Sequence, residues 1–234
     1  MIAGLQKMTL LDFPGKVACT VFLQGCNWRC PFCHNSGLLS GPAETPMEKA
    51  AFLRFLESRK GLLDGVCVSG GEPTLCPGLE DLLERIREMG YAVKLDTNGS
   101  RPDVLRALAE KNLVDYVAMD IKNSPALYAA TTGIPDIDLG NVEKSIQYLV
   151  SSTLPHEFRT TLVHPLHSDN SILEMGKWLS SLVPGKKPET LFLQDFQDRD
   201  AVLFSGLSTP PEEDIFRYRA LLSPYIGQVL VRGK

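Results

Sequence analysis

The sequence contains no run approaching the roughly 18 consecutive apolar residues of a membrane-spanning helix. Its opening, MIAGLQKMTLLDFPGK, lacks a continuous apolar core ending at a small-residue cleavage site, so no export signal is expected. Nor is there an excess of charge. With 24 Lys and Arg against 28 Asp and Glu, the formal net charge is −4, which gives no electrostatic ground for nucleic acid or an anionic membrane as partner. No low-complexity segment or linker divides the chain. A disulfide framework is also missing: of six cysteines, three fall in one short run, which reads as metal ligation in a reducing compartment. The expectation is a cytoplasmic globular protein. Its 44% hydrophobic and 22% charged composition is ordinary, and 234 residues suffice for one barrel-sized core.

What the chain does have is a recurring unit: a short apolar run, a polar loop with Gly or Asp, then a helical pattern. The apolar runs cover residues 17–23, 66–69, 92–96, 116–120, 158–163 and 191–194. Between them, Leu79, Leu82, Leu83 and Ile86 recur with helical spacing, as do Val142, Ile146, Leu149 and Val150, and Ile172, Met175, Leu179 and Leu182. Pro46 and Pro102 mark expected helix starts, where a missing N–H is tolerated. Alternating strands and helices predict a parallel sheet with right-handed crossovers. Six units fit the length, whereas a full eight-unit barrel needs about 250 residues. The expected fold is α/β, a partial (βα)6 TIM-like barrel with outer helices; a doubly wound sheet is the alternative. One domain is expected over 1–234, with an N-terminal segment 1–16, the barrel 17–195 and an extension 196–234. In that extension Glu212–Leu222 is amphipathic, and 229–231 reads as a strand able to close one side.

Unusual polar residues follow these runs. Cys26, Cys30 and Cys33 form a C-x3-C-x2-C motif after the first. Gly70-Gly71-Glu72-Pro73 follows the second, Asp96-Thr97-Asn98-Gly99 ends the third, and Asp120-Ile121-Lys122 ends the fourth. His164 follows the fifth and Gln194 ends the sixth. Ligand sites in parallel α/β folds gather at the C-terminal ends of strands, so these segments are expected to build one site. Three thiolates can hold three irons of a [4Fe–4S] cube that normally takes four, leaving one iron open to a ligand from outside the protein. A structural zinc site is the competing reading, but zinc wants four ligands, commonly in spaced pairs, and His34 adjoins Cys33 awkwardly. Cys19, Cys67 and Cys76 read as small buried hydrophobes. Gly70 and Gly71 either let backbone approach a ligand closely or simply make a turn. Glu72 offers a carboxylate to an ammonium or to a neighbouring loop. Residues 96–99 also read as an Asx-type turn. Asp120 at a strand end can accept ribose hydroxyls or bind a cation, and Lys122 can pair with a carboxylate. His164 and His167 flank Pro165-Leu166 with no motif of their own. No general base is apparent.

The cysteine motif, with Phe32 just before its third cysteine, resembles the signature of the radical S-adenosylmethionine (SAM) enzymes, and Gly70-Gly71-Glu72-Pro73 resembles their second hallmark. Within that superfamily, Asp12-Phe13-Pro14-Gly15, Cys33-His34-Asn35, Asp96-Thr97-Asn98-Gly99 and Met119-Asp120-Ile121-Lys122 look like the glycyl-radical-enzyme activases. The likeness is greatest to the anaerobic ribonucleoside-triphosphate reductase activating proteins of the longer type, with pyruvate formate-lyase activating enzyme a near relative. It is clear over residues 5–125 and weaker to 195.

The resemblance implies one [4Fe–4S] cluster on Cys26, Cys30 and Cys33, with SAM on the open iron. Gly70, Gly71 and Glu72 would hold the methionine amino end, Asp120 and Lys122 the ribose and carboxylate, and Phe32 would lie near the adenine. A monovalent cation beside the SAM carboxylate would meet Asp96, Thr97 and Asp120. Asp12 would orient the partner's glycine loop. The implied partners are a glycyl radical enzyme, here anaerobic ribonucleotide reductase, and a flavodoxin- or ferredoxin-type electron donor. Phe13 stands where the formate-lyase activases often have glycine, and Gln194 where those relatives place histidine. Some activases carry extra clusters between the two hallmarks; here only residues 34–69 intervene, with Cys67 their sole cysteine, so one cluster is expected. The alternatives are an activase of formate-lyase or another glycyl radical enzyme, a radical SAM enzyme on a small substrate, and a non-catalytic zinc or iron–sulfur protein.

Overall fold

The computed structural model describes residues 1–39, 46–198 and 202–232. Its strands are β1 (Ile2–Thr9), β2 (Ala18–Leu23), β3 (Gly65–Gly70), β4 (Ala92–Thr97), β5 (Tyr116–Asp120), β6 (His156–Leu162), β7 (Thr190–Asp195) and β8 (Gln228–Arg232). The helices are α1 (Lys49–Glu57), α2 (Leu79–Glu88), α3 (Pro102–Glu110), α4 (Pro125–Thr132), α5 (Leu139–Ser151), α6 (Asp169–Ser181) and α7 (Glu212–Leu222). The eight strands form one sheet in sequence order, with β1 and β8 at its two edges. β1 runs antiparallel to β2, while β2–β3, β3–β4, β6–β7 and β7–β8 are parallel. This is the expected α/β architecture with an open sheet. Among the described residues no helix is long and apolar enough to cross a membrane.

All six apolar runs form strands, with ends shifted by no more than two residues. The structure adds three features to the expected pattern. β1 reads in the sequence as an N-terminal segment because Gln6, Lys7 and Met8 are exposed and its register shifts twice, which blurs the period-two signal. β8 extends the sheet beyond β7 as a further parallel strand instead of closing it. α4 escapes the helical pattern; its boundaries are local, with Pro125 opening the first turn and Gly133 ending it in the left-handed conformation. Pro102 does open α3, but Pro46 opens nothing: α1 starts at Lys49, and Met47 instead makes an isolated antiparallel bridge with Ile2. In the C-terminal extension, residues 199–201 and 233–234 lie outside the described residues.

The chain forms two compact units. The first comprises Met1–Asn27, Gly37–Thr97 and Asp103–Ala118, and the second Trp28–Ser36, Asn98–Pro102 and Met119–Lys234. In the first, α2 packs its four spaced aliphatics, all buried, against β4. Such burial is worth about 1.5–3 kcal/mol per side chain. Glu80 and Asp81 at its start and Arg85 and Arg87 at its end oppose the helix dipole in the favourable sense. In the second, a Ser168–Ser171 capping box starts α6, which buries Ile172, Met175 and Leu179 and packs on α7.

Candidate active site

In the first unit the polar groups stand at the C-terminal ends of β2, β3 and β4. The stem of the cysteine loop is pinned by backbone: Gly25 N–H donates to Leu38 O (2.7 Å), Gly71 N–H to Leu23 O (2.9 Å) and Glu72 N–H to Gly25 O (2.8 Å). This close approach explains both glycines. A Cβ on Gly70, whose φ is +127°, would lie 2.2 Å from Leu23 O, and one on Gly71 would lie 2.1 Å from Gly25 O and 3.2 Å from Cys26 Cβ. The pair is therefore more than a turn: it presses the end of β3 against the chain that presents Cys26. Glu72, buried to 1% exposure, ties its own turn to the end of β4. Its Oε1 accepts from Thr74 N–H (3.1 Å), Thr74 Oγ1 (2.5 Å) and Thr97 Oγ1 (2.8 Å). Asp96 is ion-paired with Lys94, a fully buried residue two positions earlier on the same strand. Asp12 lies at the other end of β2, in the loop that enters it, and its Oδ2 accepts from Thr20 Oγ1 (2.5 Å). Phe13 is a core residue, tilted against Tyr116 at 6.2 Å, so its departure from the formate-lyase pattern has a packing explanation.

The second unit carries the rest of the loop. Cys30 is buried, and Cys33 N–H donates to Cys30 O (3.1 Å). Arg29 N–H donates to Thr132 O (2.8 Å) and Phe204 N–H to Pro31 O (3.3 Å). His34 stacks on Phe196 at 5.4 Å and its Nε2 bonds Gln197 O at 2.7 Å, which turns its ring toward the segment after β7. Among the described residues no three His, Cys, Asp or Glu side chains converge to hold a single ion. None of the six cysteines is in a disulfide. Burial pushes the Cys33 thiol up, with Lys122 and Arg29 working against it.

Lys122 Nζ sits 3.0 Å from Asp120 Oδ2 and 5.9 Å from the centroid of Phe32. Burial works to lower its pKa, but the negative charges of Asp120 and Cys30 outweigh that and hold it above the ordinary lysine value. Sequence reasoning missed a third member, Arg159, whose Nη2 and Nε lie 2.9 and 3.0 Å from Asp120 Oδ1. Asp120 therefore carries two cations. Gln194 and Asp195 end β7, and Asp195 Oδ1 is buried with no hydrogen-bond partner among the described residues.

His164 makes an antiparallel bridge to Ser208 and is joined to Pro165 by a cis peptide. His167 has the clearer role. Val163 N–H donates to its Nδ1 (3.0 Å), so Nε2 carries the proton and donates to Lys122 O (2.9 Å). The ring thus positions the backbone of Lys122. Burial lowers its pKa, with the ring's contacts to the carbonyl oxygens of Lys122 and Val163 opposing. A depressed folded pKa means that the stability it contributes is present above the unfolded value of about 6.5 and is lost as pH falls through the folded one. His167→Gln keeps an acceptor and a donor without a titrating group. It is expected to lose about 1–2 kcal/mol at neutral pH and to soften the acid-side fall in denaturation midpoint. An undiminished fall in that variant would reject the assignment.

The description "Radical SAM superfamily" matches residues 20–179. A Methanocaldococcus jannaschii protein, provisionally named a glycyl-radical enzyme activating enzyme, is 28% identical over 240 residues, covering 99% of this chain and 95% of that one. The pyruvate formate-lyase-activating enzyme of Staphylococcus aureus strain USA300 is 28% identical over 205 residues, covering 80% and 78% of the two chains. Among solved structures, a domain of pyruvate-formate lyase-activating enzyme from Bacteroides vulgatus has the same fold, with a TM-score of 0.58 at 23% identity over 72% of this chain and 99% of that one. That superfamily implies enzymatic activity with a [4Fe–4S] cluster and SAM. With its cysteine loop after the first parallel strand and its Gly-Gly-Glu turn after the second, inside a match covering most of its length, this chain belongs to the radical SAM superfamily.

Proposed function

We propose that this protein is a glycyl-radical-enzyme activating enzyme whose target is anaerobic ribonucleoside-triphosphate reductase. The observation that carries the activase reading is the match to a relative of that description over 99% of this chain and 95% of that one. The donor set suits the cofactors. Three cysteines outside any disulfide share one loop, and the Gly70–Gly71 backbone packs directly against the Leu23–Gly25 stem that presents Cys26. Cys26, Cys30 and Cys33 would hold the cluster. Gly70, Gly71, Glu72, Thr97, Asp96, Phe32, Asp120 and Lys122 would hold SAM. When bound, these groups would supply one-electron reductive chemistry for removing the Cα hydrogen of the partner's glycine.

The residues themselves bind, orient and exclude water. Glu72 Oε1 is already saturated by Thr74 and Thr97, so the carboxylate fixes the turn and the β4 end together. Asp120, gripped by Lys122 and Arg159, is held rigid for hydroxyl acceptance. For Asp12 to order the incoming glycine loop, that loop would have to reach the entry of β2, where Asp12 Oδ2 accepts from Thr20 Oγ1. A flavodoxin- or ferredoxin-type donor in the reducing cytoplasm would supply the electron. Anaerobically reconstituted protein is expected to form 5′-deoxyadenosine from SAM and dithionite, and to raise a glycyl-radical EPR doublet on co-incubated anaerobic reductase. A doublet on formate-lyase alone would transfer the assignment to that partner, which the staphylococcal relative favours. Absence of 5′-deoxyadenosine would remove both.

A further inference from the structure

Lys94 is the least expected charge in the first unit. It lies mid-strand in β4, 1% exposed, in register with Cys67 of β3, which is itself in register with Thr20 of β2. Its Nζ is 3.8 Å from Cys67 Sγ, and its ion-pair partner is Asp96, whose side chain is 15% exposed. Residues i and i+2 of a strand share a face, so the pair is built into the strand itself. A buried ammonium persists only where a counter-charge meets it, and Asp96 is that counter-charge.

The resemblance implies a monovalent metal ion at Asp96, and here the residues do not fit it. The Asp96 carboxylate already has a cation that cannot diffuse away. A metal ion beside it would bring a second positive charge within a few ångström of the ammonium, where little water screens the repulsion. We propose that Lys94 is a tethered cation that neutralises Asp96 in place of a monovalent metal ion, so that SAM binding by this protein is independent of potassium and sodium. The proposal rests on the reading of Asp96 as part of the SAM site. It makes Lys94 a positioning residue, acting on the cofactor through Asp96.

The test compares the reconstituted protein in potassium, sodium and tetramethylammonium chloride at equal ionic strength. The readouts are SAM affinity by anaerobic calorimetry, the rate of 5′-deoxyadenosine formation, and retention of thallium(I), a potassium mimic, in equilibrium dialysis. For the wild type, affinity and rate are expected to differ by less than about threefold among the salts, with no stoichiometric thallium retained. A larger stimulation by potassium or sodium, or stoichiometric thallium, would overturn the proposal. Lys94→Met preserves the length of the side chain and removes its charge. In tetramethylammonium it is expected to bind SAM about tenfold more weakly, and potassium should restore the loss. Equal, salt-indifferent affinity in that variant would also overturn the proposal. If Lys94→Met does not fold, the wild-type comparison decides alone. If the wild type neither binds nor cleaves SAM in any salt, the activase reading fails, while thallium retention still decides how Asp96 is neutralised.

Discussion

Cys30→Ala is expected to yield a folded protein without a four-iron cluster, and no detectable 5′-deoxyadenosine from SAM and dithionite. The expectation follows from ligand count. Three thiolates are the minimum that leaves one iron of a cube open, and removing one leaves two irons without protein ligands. Cys30 sits mid-loop, buried, with its carbonyl accepting from Cys33 N–H. The loop's other anchors, from Arg29 to Thr132 and from Pro31 to Phe204, are backbone bonds that an alanine side chain leaves intact. Global stability should therefore fall by only about 1 kcal/mol, the scale of trimming a small buried side chain. Cys76→Ala is the matched control. Cys76 lies in the first unit after the Pro73–Leu75 turn, its Sγ 3.6 Å from the Met1 amine and donating to Pro77 O. It should keep full iron content and activity. The check is iron and sulfide analysis with Mössbauer spectra of both reconstituted variants. A four-iron spectrum in Cys30→Ala, or its loss in Cys76→Ala, would overturn the ligand set.

What local grammar dictates is legible in the sequence alone. Thiolate spacing, paired glycines and carboxylates closing apolar runs each obey rules that act within a few residues, and the strand-end rule gathers them. The missed residues act through partners far along the chain. Arg159 sits inside the 156–162 strand, 39 positions from the Asp120 it grips, and nothing in the local pattern marks it. His167 is visible as a histidine near a proline, but its bond to Lys122 O spans 45 positions. Lys94 leaves a signal that a period-two reading can use: a lysine inside an apolar strand, two residues before an aspartate, shares that aspartate's face. Glu72 shows the reverse case. Its carboxylate stands out in the sequence, yet hydroxyls from two segments already hold one of its oxygens, which only packing discloses. The edge strand β1 escapes a sequence reading because exposure at an edge blurs its alternation, and the short helix α4 because its buried face is Tyr128, Thr131 and Thr132 while its one leucine, Leu127, is exposed, so no apolar stripe marks it.

Gly71→Ala should be severely damaging, with a loss of about 3 kcal/mol or more and a reconstituted protein poor in cluster. Two costs must be separated at this turn. At Gly70 the backbone is in a conformation that side-chain-bearing residues rarely adopt, so any substitution mixes strain with collision. Gly71 has no such φ, and its cost is collision alone. The methyl would stand 2.1 Å from Gly25 O and 2.6 Å from Gly25 C, both backbone atoms that no rotamer change can move aside. Relief requires Gly25 to retreat, which breaks the Glu72 N–H to Gly25 O and Gly25 N–H to Leu38 O bonds and displaces Cys26. Stability and cluster binding are thus coupled through one carbonyl. If instead the glycine pair served only to let SAM approach, Gly71→Ala would assemble a normal cluster and lose SAM affinity alone. Denaturant midpoints, iron content and SAM affinity measured on the same preparation distinguish the two. A fall in the first two together identifies Gly71 as the residue that seats the cysteine loop. Normal stability and iron with weakened SAM binding would show that the loop tolerates the methyl, and that the close backbone approach serves the cofactor alone.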